Sequence, residues 1–222
     1  ALIVFDIHSN TQIAESNVMR LRNNGAAVVF IDNTCPASRL ADAVIIPTVH
    51  HCGAAQSNLV TGADYVVIKK EVRRAKESTE KQAKLAVVYR GRATVENARA
   101  AVANLQANVS DLRVLQVESY RKDFARLIAS ARYVVSPLSQ TSYEAAFLGA
   151  QPCLIYTDGD QRSADLFLSA LPTLWGGDGR GGFRIAERLS LLAQGRVVPE
   201  TQNGLGDNQK SHEPEGDRVY IK

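Results

Sequence analysis

The chain is short of the residues that staple, anchor or carry a protein across a membrane. Its 222 residues include 3 Cys, 1 Met and 1 Trp, and aromatic side chains make up only 6%. Cys35, Cys52 and Cys153 are odd in number and far apart, so no disulfide framework can carry the fold. Two of them fall in or beside apolar segments, which reads as reduced, buried thiols in a cytoplasmic protein. No apolar run is long enough to cross a bilayer. No secretory leader pattern opens the chain. Lys and Arg total 26 against 23 Asp and Glu, a formal charge of +3. That gives no case for a nucleic-acid binder, which needs a dense basic stripe, yet suits an anionic small ligand. No G-x-G-x-x-G follows any expected strand, which argues against a stand-alone dinucleotide oxidoreductase. Low-complexity tracts and short repeats are missing too. The first residue is Ala1 rather than Met, so a processed protein or the ordered part of a longer one stays open.

What is present reads as globular: 45% of residues are hydrophobic and 22% charged. The length suits one large or two small domains. Apolar runs at Ala1–Phe5, Ala26–Ile31 and Ala43–Ile46 are expected strands, with a helix over Asn10–Asn24 ended by Gly25. Short all-apolar strands between helices indicate a parallel sheet covered on both faces. Val49–Thr61 reads as loop with a short helix, and Tyr65–Arg74 as a strand end running into a basic helix. Lys76–Lys84 (KESTEKQAK) is polar and reads as a linker. A second alternating unit follows, with strands at Leu85–Tyr89, Arg113–Val117, Tyr133–Val135 and Cys153–Tyr156. Its helices are expected at Val95–Leu105, Lys122–Ser130, Asp160–Ala170 and Gly182–Gln194. Residues 195–222 read as mostly loop, with an edge strand at Arg218–Ile221. The expected domains are therefore 1–75, a linker at 76–84, 85–194 and a polar tail at 195–222. Two doubly wound units place a ligand at the carboxyl ends of the strands, in the cleft between them.

The most informative stretch runs from Ser136 to Pro152 (SPLSQTSYEAAFLGAQP). Strand, polar turn, short helix, Gly stop and strand follow in order. Ser139 or Thr141 can cap the helix and Gly149 can end it in a left-handed conformation. The helix start then offers backbone N–H groups and a positive dipole end to a phosphate. Glu144 lies one turn in from Thr141 on the same side, where a carboxylate can accept both hydroxyls of a ribose.

In order and spacing these pieces resemble the GT-B superfamily of nucleotide-sugar enzymes. They are most similar to the UDP-sugar hydrolases of pseudaminic acid biosynthesis and the related spore-coat polysaccharide proteins (PseG/SpsG-like), and more distantly to MurG-type glycosyltransferases. The segments that carry the resemblance are Val28–Asn33, Gly62–Val72, Val87–Ala93 with Asn97, and Thr141–Glu144 with Leu148-Gly149 and Asp160-Gln161. The resemblance implies that Thr141 and Glu144 hold the diphosphate and the ribose, that the Asp160-Gln161 pair approaches sugar or phosphate, and that Arg90-Gly91 forms a glycine turn. It implies an α/β fold of two Rossmann-like parallel-sheet units in GT-B arrangement, the first one incomplete. The implied ligand is a UDP-linked sugar, and the implied reaction has water or an acceptor attack the sugar–phosphate linkage with UDP leaving. No cofactor and no metal are called for. A partner chain or homo-oligomer supplying a missing half stays open.

The chain also departs from the family pattern. Residues 1–25 lack its glycine-rich loop and G-H-x-x-R helix, so no catalytic residue is assigned. Leu138 and Ser139 stand where the family has glycines, which blocks close backbone approach to a phosphate. Asp160 replaces an Asn and would repel a phosphate when ionised. A divergent enzyme and a non-catalytic binding homologue both fit. The candidate nucleotide-sugar residues are Arg90, Gly91, Arg92, Ser139, Thr141, Glu144, Asp160 and Gln161.

Plainer readings stand beside these. Glu144 can be a solvated helix residue. Arg90 and Arg92 can clamp a diphosphate, since guanidinium matches phosphate oxygens, or can simply solubilise a turn. His50, His51 and Cys52 do not converge on one metal from a regular strand and lack a second ligand pair. His8 can stand in as a general base or be a half-exposed loop residue. Lys69, Lys70, Arg73 and Arg74 can steer an anion or form a solvated helix face. Asp158-Gly159-Asp160 lacks the downstream Glu of a calcium loop.

Overall fold

A computed structural model of the chain describes residues 1–7, 11–49, 56–118, 121–156 and 161–196. In chain order its elements are β1 (Leu2–Asp6), α1 (Glu15–Asn23), β2 (Ala27–Ile31), β3 (Ala43–Ile46), β4 (Leu59–Thr61), α2 (Lys70–Ser78), β5 (Gln82–Tyr89), α3 (Val95–Asn108), β6 (Arg113–Val117), α4 (Phe124–Ser130), β7 (Ala131–Ser136), α5 (Gln140–Phe147), β8 (Gln151–Leu154), α6 (Gln161–Ser169), α7 (Leu171–Gly176) and α8 (Gly181–Ala193). Two 3₁₀ turns, Pro36–Leu40 and Ala63–Tyr65, complete the list. The chain divides into two compact units, Ala1–Val67 with the segment from Gly177, and Ile68–Gly176.

The first unit holds a parallel sheet in the order β1-β2-β3-β4. Val28, Val29 and Phe30 of β2 and Val44 and Ile45 of β3 are fully buried, as strands covered on both faces must be. Burying each such side chain contributes about 1.5–3 kcal/mol. On one face Val18 of α1, Val28, Phe30, Val44 and Ile46 form a core, with Phe5 stacked 4.9 Å from Phe30. The β2–β3 crossover is the 3₁₀ turn Pro36–Leu40 rather than a full helix. Asp42 fastens it by accepting from the Val28 amide at 2.8 Å and from Arg22 at 3.1 Å.

The other face is covered from far along the chain. Ile185, Leu189 and Leu192 of α8 pack on Val29, Ala43, Ile45, Val60 and Tyr65. Arg188 donates to the Tyr65 hydroxyl at 3.0 Å and lies over its ring. Asp178 caps the turn before α8, accepting from the Arg180 amide at 2.8 Å and from both Nη atoms of Arg184 at 2.9 and 2.8 Å. The Arg184 guanidinium holds the Asp178 carboxyl down at about 2. Gly181 is where the backbones meet: a Cβ there would lie 2.2 Å from the Val66 carbonyl oxygen.

The second unit has a parallel sheet in the order β6-β5-β7-β8. From β5 the chain winds outward to β6, then returns to the other side of β5 as β7. Ala86, Val88, Val135, Cys153 and Ile155 meet Ala98 and Leu105 of α3 on one face. Burial pushes the Cys153 thiol up to about 12, so it is an inert core group.

The expectation of an α/β protein with two parallel-sheet units is met, and several local expectations change. The helix expected from Asn10 starts at Glu15. Val49–Thr61 ends in β4, which continues the sheet, and Tyr65 sits in a 3₁₀ turn, not a strand end. The polar stretch 76–84 is no separate linker: its start completes α2, its end opens β5, and the units part at Val67–Ile68. Polar residues suffice there because α2 and the start of β5 lie partly in water. The helix at α8 packs on the first unit, not within 85–194. Pro152 lies inside β8, tolerated because β8 is the sheet edge. Cys35 and Cys153 are buried and free. Among the described residues no helix is long and apolar enough to cross a membrane. Cys52 and the expected strand Arg218–Ile221 lie outside the described residues.

Gly181→Ala should destabilise the first unit by roughly 1–3 kcal/mol, because its methyl meets backbone rather than a movable side chain. Urea unfolding of the variant checks this. An unchanged midpoint would contradict the close approach of α8.

Candidate functional site

In a doubly wound sheet the strand order reverses at one point, and the loops leaving the strands there diverge and open a crevice at the carboxyl edge. Here the reversal lies between β5 and β7. Val88 pairs with Val135 at the end of that ladder, so Tyr89 and Ser136 end the two strands side by side. Two loops leave from there: Arg90–Ala93 and Pro137–Ser139.

The first loop needs its glycine. Gly91 has φ +55° and packs against Pro137 of the second loop, with its Cβ position 3.7 Å from Pro137 Cγ. Arg90 is exposed and bends back on its own turn, donating to the Ala93 carbonyl at 2.6 Å. That bond occupies part of its fork. Arg92 is exposed. Thr94 caps α3, accepting from the Asn97 amide at 3.1 Å, and the Asn97 side chain donates to the Tyr156 carbonyl at 3.2 Å. Asn97 thereby ties the start of α3 to the end of β8.

The second loop leads into α5. Ser139 is the N-cap and Thr141 lies in the first turn, so of the two candidate caps only Ser139 holds that position. The Ser139 amide donates to Ser142 Oγ at 2.9 Å, and Ser142 Oγ donates to the Ser139 carbonyl at 2.6 Å. Ser139 has φ −162°, extended backbone open to any residue. Replacing glycine there therefore strains nothing, although the added side chain takes up room. Gly149 ends the helix at φ +74°, as expected.

Four polar side chains at this edge are buried: Ser136 and Ser142 are 0% exposed, Thr141 7% and Glu144 1%. Ser136 Oγ is fully buried with no hydrogen-bond partner, a condition that native proteins rarely leave unexplained. By the alternation of the strand, Ser136 stands on the sheet face opposite Val135, the face that carries α4 and α5.

Glu144 is not a solvated helix residue. It is the one buried charged side chain among the described residues. Lys69 Nζ lies 3.5 Å from its Oε1 and Gln140 Nε2 donates to the same oxygen at 3.3 Å. Burial raises its pKa, while Lys69 and Gln140 pull it back down and Glu71 adds a small push upward. The basic helix accordingly has two faces. Lys70 and Arg74 are exposed, whereas Lys69 reaches Glu144 and Lys76 Nζ sits 4.2 Å from the Phe147 ring centroid.

Of the expected site residues, Arg90, Gly91, Arg92, Ser139, Thr141 and Glu144 come from the two loops and the helix at the reversal point. Gln161 opens α6 at the same sheet edge, exposed, and donates to Asp165 at 2.8 Å. Asp160, His8, His50 and His51 lie outside the described residues. Neither Ser136 nor Lys69 is among the expected site residues, and Lys69 reads from the sequence only as an anion-steering or solvated helix residue. Ser136 ends a strand just before the motif loop, a position that could have flagged it. Nothing in the sequence marks Lys69 as the partner of Glu144, which is 75 residues away. Among the described residues no group of His, Cys, Asp and Glu gathers for a metal. Two surface depressions lie elsewhere, by Met19, Arg22 and Asp42 and by Ser78, Asp123 and Arg126. Neither holds a buried polar group without a partner.

A carboxyl whose folded pKa is raised binds its proton more tightly in the folded state. Its ionisation therefore opposes folding, and stability falls as pH rises from the unfolded value, about 4.3, through the raised folded one. Glu144→Gln should keep or raise the thermal midpoint at pH 7 and lose that difference near pH 4. A midpoint several degrees below wild type at pH 7 would show that the ion pair stabilises the fold.

No protein-family model and no curated protein matches the chain. Among solved structures it is similar to a protein described as a UDP-N-acetylglucosamine 2-epimerase from Listeria monocytogenes. The two share 11% identity over 90% of this chain and 76% of that one, with a TM-score of 0.47.

Proposed function

We propose that the second unit binds the nucleoside diphosphate part of a nucleotide-sugar, with a UDP-sugar as the first candidate. The observation that carries this reading is the buried, unpartnered Ser136 hydroxyl at the strand-order reversal, beside the start of α5. A polar atom buried without a partner costs about 1–3 kcal/mol, and a ligand oxygen seated there would satisfy it. Three further features support it. The α5 N-terminus favours an anion. Arg92 stands exposed on the facing turn. Glu144 keeps a charge buried one turn into the same helix, an arrangement that opposes stability and concentrates at functional sites.

The reaction that fits is attack of water or an acceptor hydroxyl at the sugar–phosphate bond, with the diphosphate leaving. The residues named here would hold that leaving group: the first turn of α5 and Arg92 stabilise its growing negative charge, and Glu144 orients the ribose. The nucleophile's activating base is not among them. A second reading, binding without catalysis, is favoured by one specific observation. The Ser139 amide is already spent on Ser142 Oγ, and Leu138 and Ser139 stand where glycines would let a phosphate come closer.

Saturating UDP should raise the thermal midpoint of the intact chain by roughly 5–10 °C at one hundred times the dissociation constant, with a smaller effect from ADP. Ser136→Ala should leave the unliganded midpoint unchanged or slightly higher, yet weaken UDP roughly five- to tenfold. Glu144→Ala should stay folded and lose the UDP response. The reading fails if no nucleotide shifts the wild-type midpoint. It also fails if both folded variants bind UDP as wild type does. Release of UDP from UDP-sugars by the chain would separate the enzyme from the binding protein.

A further inference from the structure

The contact between Lys69 and Glu144 is one-sided. Glu144 sits in the middle of α5, 1% exposed, and cannot leave without unwinding the helix. Lys69 is different. Its backbone is fixed at the start of α2, where its carbonyl accepts from the Val72 and Arg73 amides at 3.1 Å each, but its side chain is 45% exposed. Of the two partners the ammonium is therefore the one that can give way, and the pair opens from the Lys69 side.

The carboxylate is also loosely held. Its two contacts, at 3.5 and 3.3 Å, both fall on Oε1, longer than the 2.7–2.9 Å typical of charge-assisted bonds. A ligand presenting two adjacent hydroxyls could donate to both oxygens at better distances. α2 would stay seated without Lys69, because Lys76 remains over the Phe147 ring one turn further along α5.

Resting on the nucleotide-sugar reading above, we propose that Lys69 is a displaceable occupant of the site. It neutralises Glu144 while the site is empty, and a ligand's vicinal diol must push it aside to bind. Lys69 is then a gating residue that lowers affinity for diol-bearing ligands and sharpens the difference between them and ligands lacking the diol. The carboxylate never stands unpaired in the empty protein, which removes the largest penalty of a buried charge.

The test measures binding of UDP and of 2′,3′-dideoxy-UDP by calorimetry to wild type, Lys69→Met and Lys69→Arg, each first shown to unfold cooperatively. Removing a half-exposed ion-pair partner should tighten UDP roughly two- to fivefold. The dideoxy analogue should bind Lys69→Met no better than wild type, and Lys69→Arg should return UDP affinity to the wild-type value. If Lys69→Met binds UDP equally or more weakly while wild type binds it well, the gate is wrong and Lys69 is an ordinary ion-pair partner or a phosphate-steering cation. Equal tightening for both nucleotides also overturns it, since the diol would not be the competitor. If neither wild type nor Lys69→Met binds UDP, the nucleotide reading itself fails and the gate falls with it.

Discussion

The hydrogen-bonded ladder between β5 and β7 is the constraint on which the candidate site depends. Strands that wound steadily in one direction, as β1 to β4 do in the first unit, would send each connecting loop over its neighbour. Because β7 returns to the opposite side of β5, the two strands end side by side at Tyr89 and Ser136, and the loops that follow them meet where Gly91 packs on Pro137. The register of a parallel ladder is enforced by burial on both faces, so one slipped residue would turn Val134 and Val135 to the wrong sides. The same register that builds the core also sets Gly91 against Pro137 and leaves the Ser136 hydroxyl buried without a partner. Fold and site share one determinant.

Polar residues at this edge divide by what they satisfy. Ser139, Ser142, Thr94 and Asn97 spend their hydrogen bonds on helix starts and strand ends. They shape the site, and helix capping explains them without any ligand. Ser136 and Glu144 have no such account. One is a buried hydroxyl without a partner, the other a buried carboxylate with two long contacts. Each works against stability by an amount a core of Val and Ala would avoid. The hydrogen bonds of the structural residues fix the backbone on which the other two are held in an unfavourable state.

Much of the fold was legible because local physics is strong there. Ala43–Ile46 and Arg113–Val117 are strands at the expected residues, Gly25 and Gly149 end helices in left-handed conformations, and Ser139 caps α5. Errors came where a choice depends on distant chain. Tyr65 looked like a strand residue by its apolar neighbours but is turned into a 3₁₀ turn that receives α8. Lys76–Lys84 looked like a linker by polarity, yet an exposed helix end and an exposed strand start have the same composition. α8 looked like the last helix of the second unit by order, and its apolar face instead completes the first.

By itself the sequence determined the class of the protein: all-apolar strands punctuated by capped helices can only bury themselves as parallel sheets, twice over. It also marked α5, with its cap, its Gly stop and its carboxylate, because those signals act within one turn of helix. Only the tertiary structure decided that Glu144 is buried, that Lys69 reaches it, and that the Ser136 hydroxyl is left without a partner. Burial and pairing are set by residues brought together from far along the chain, here the start of α2 against α5. No local pattern in a single sequence records which distant side chain will arrive.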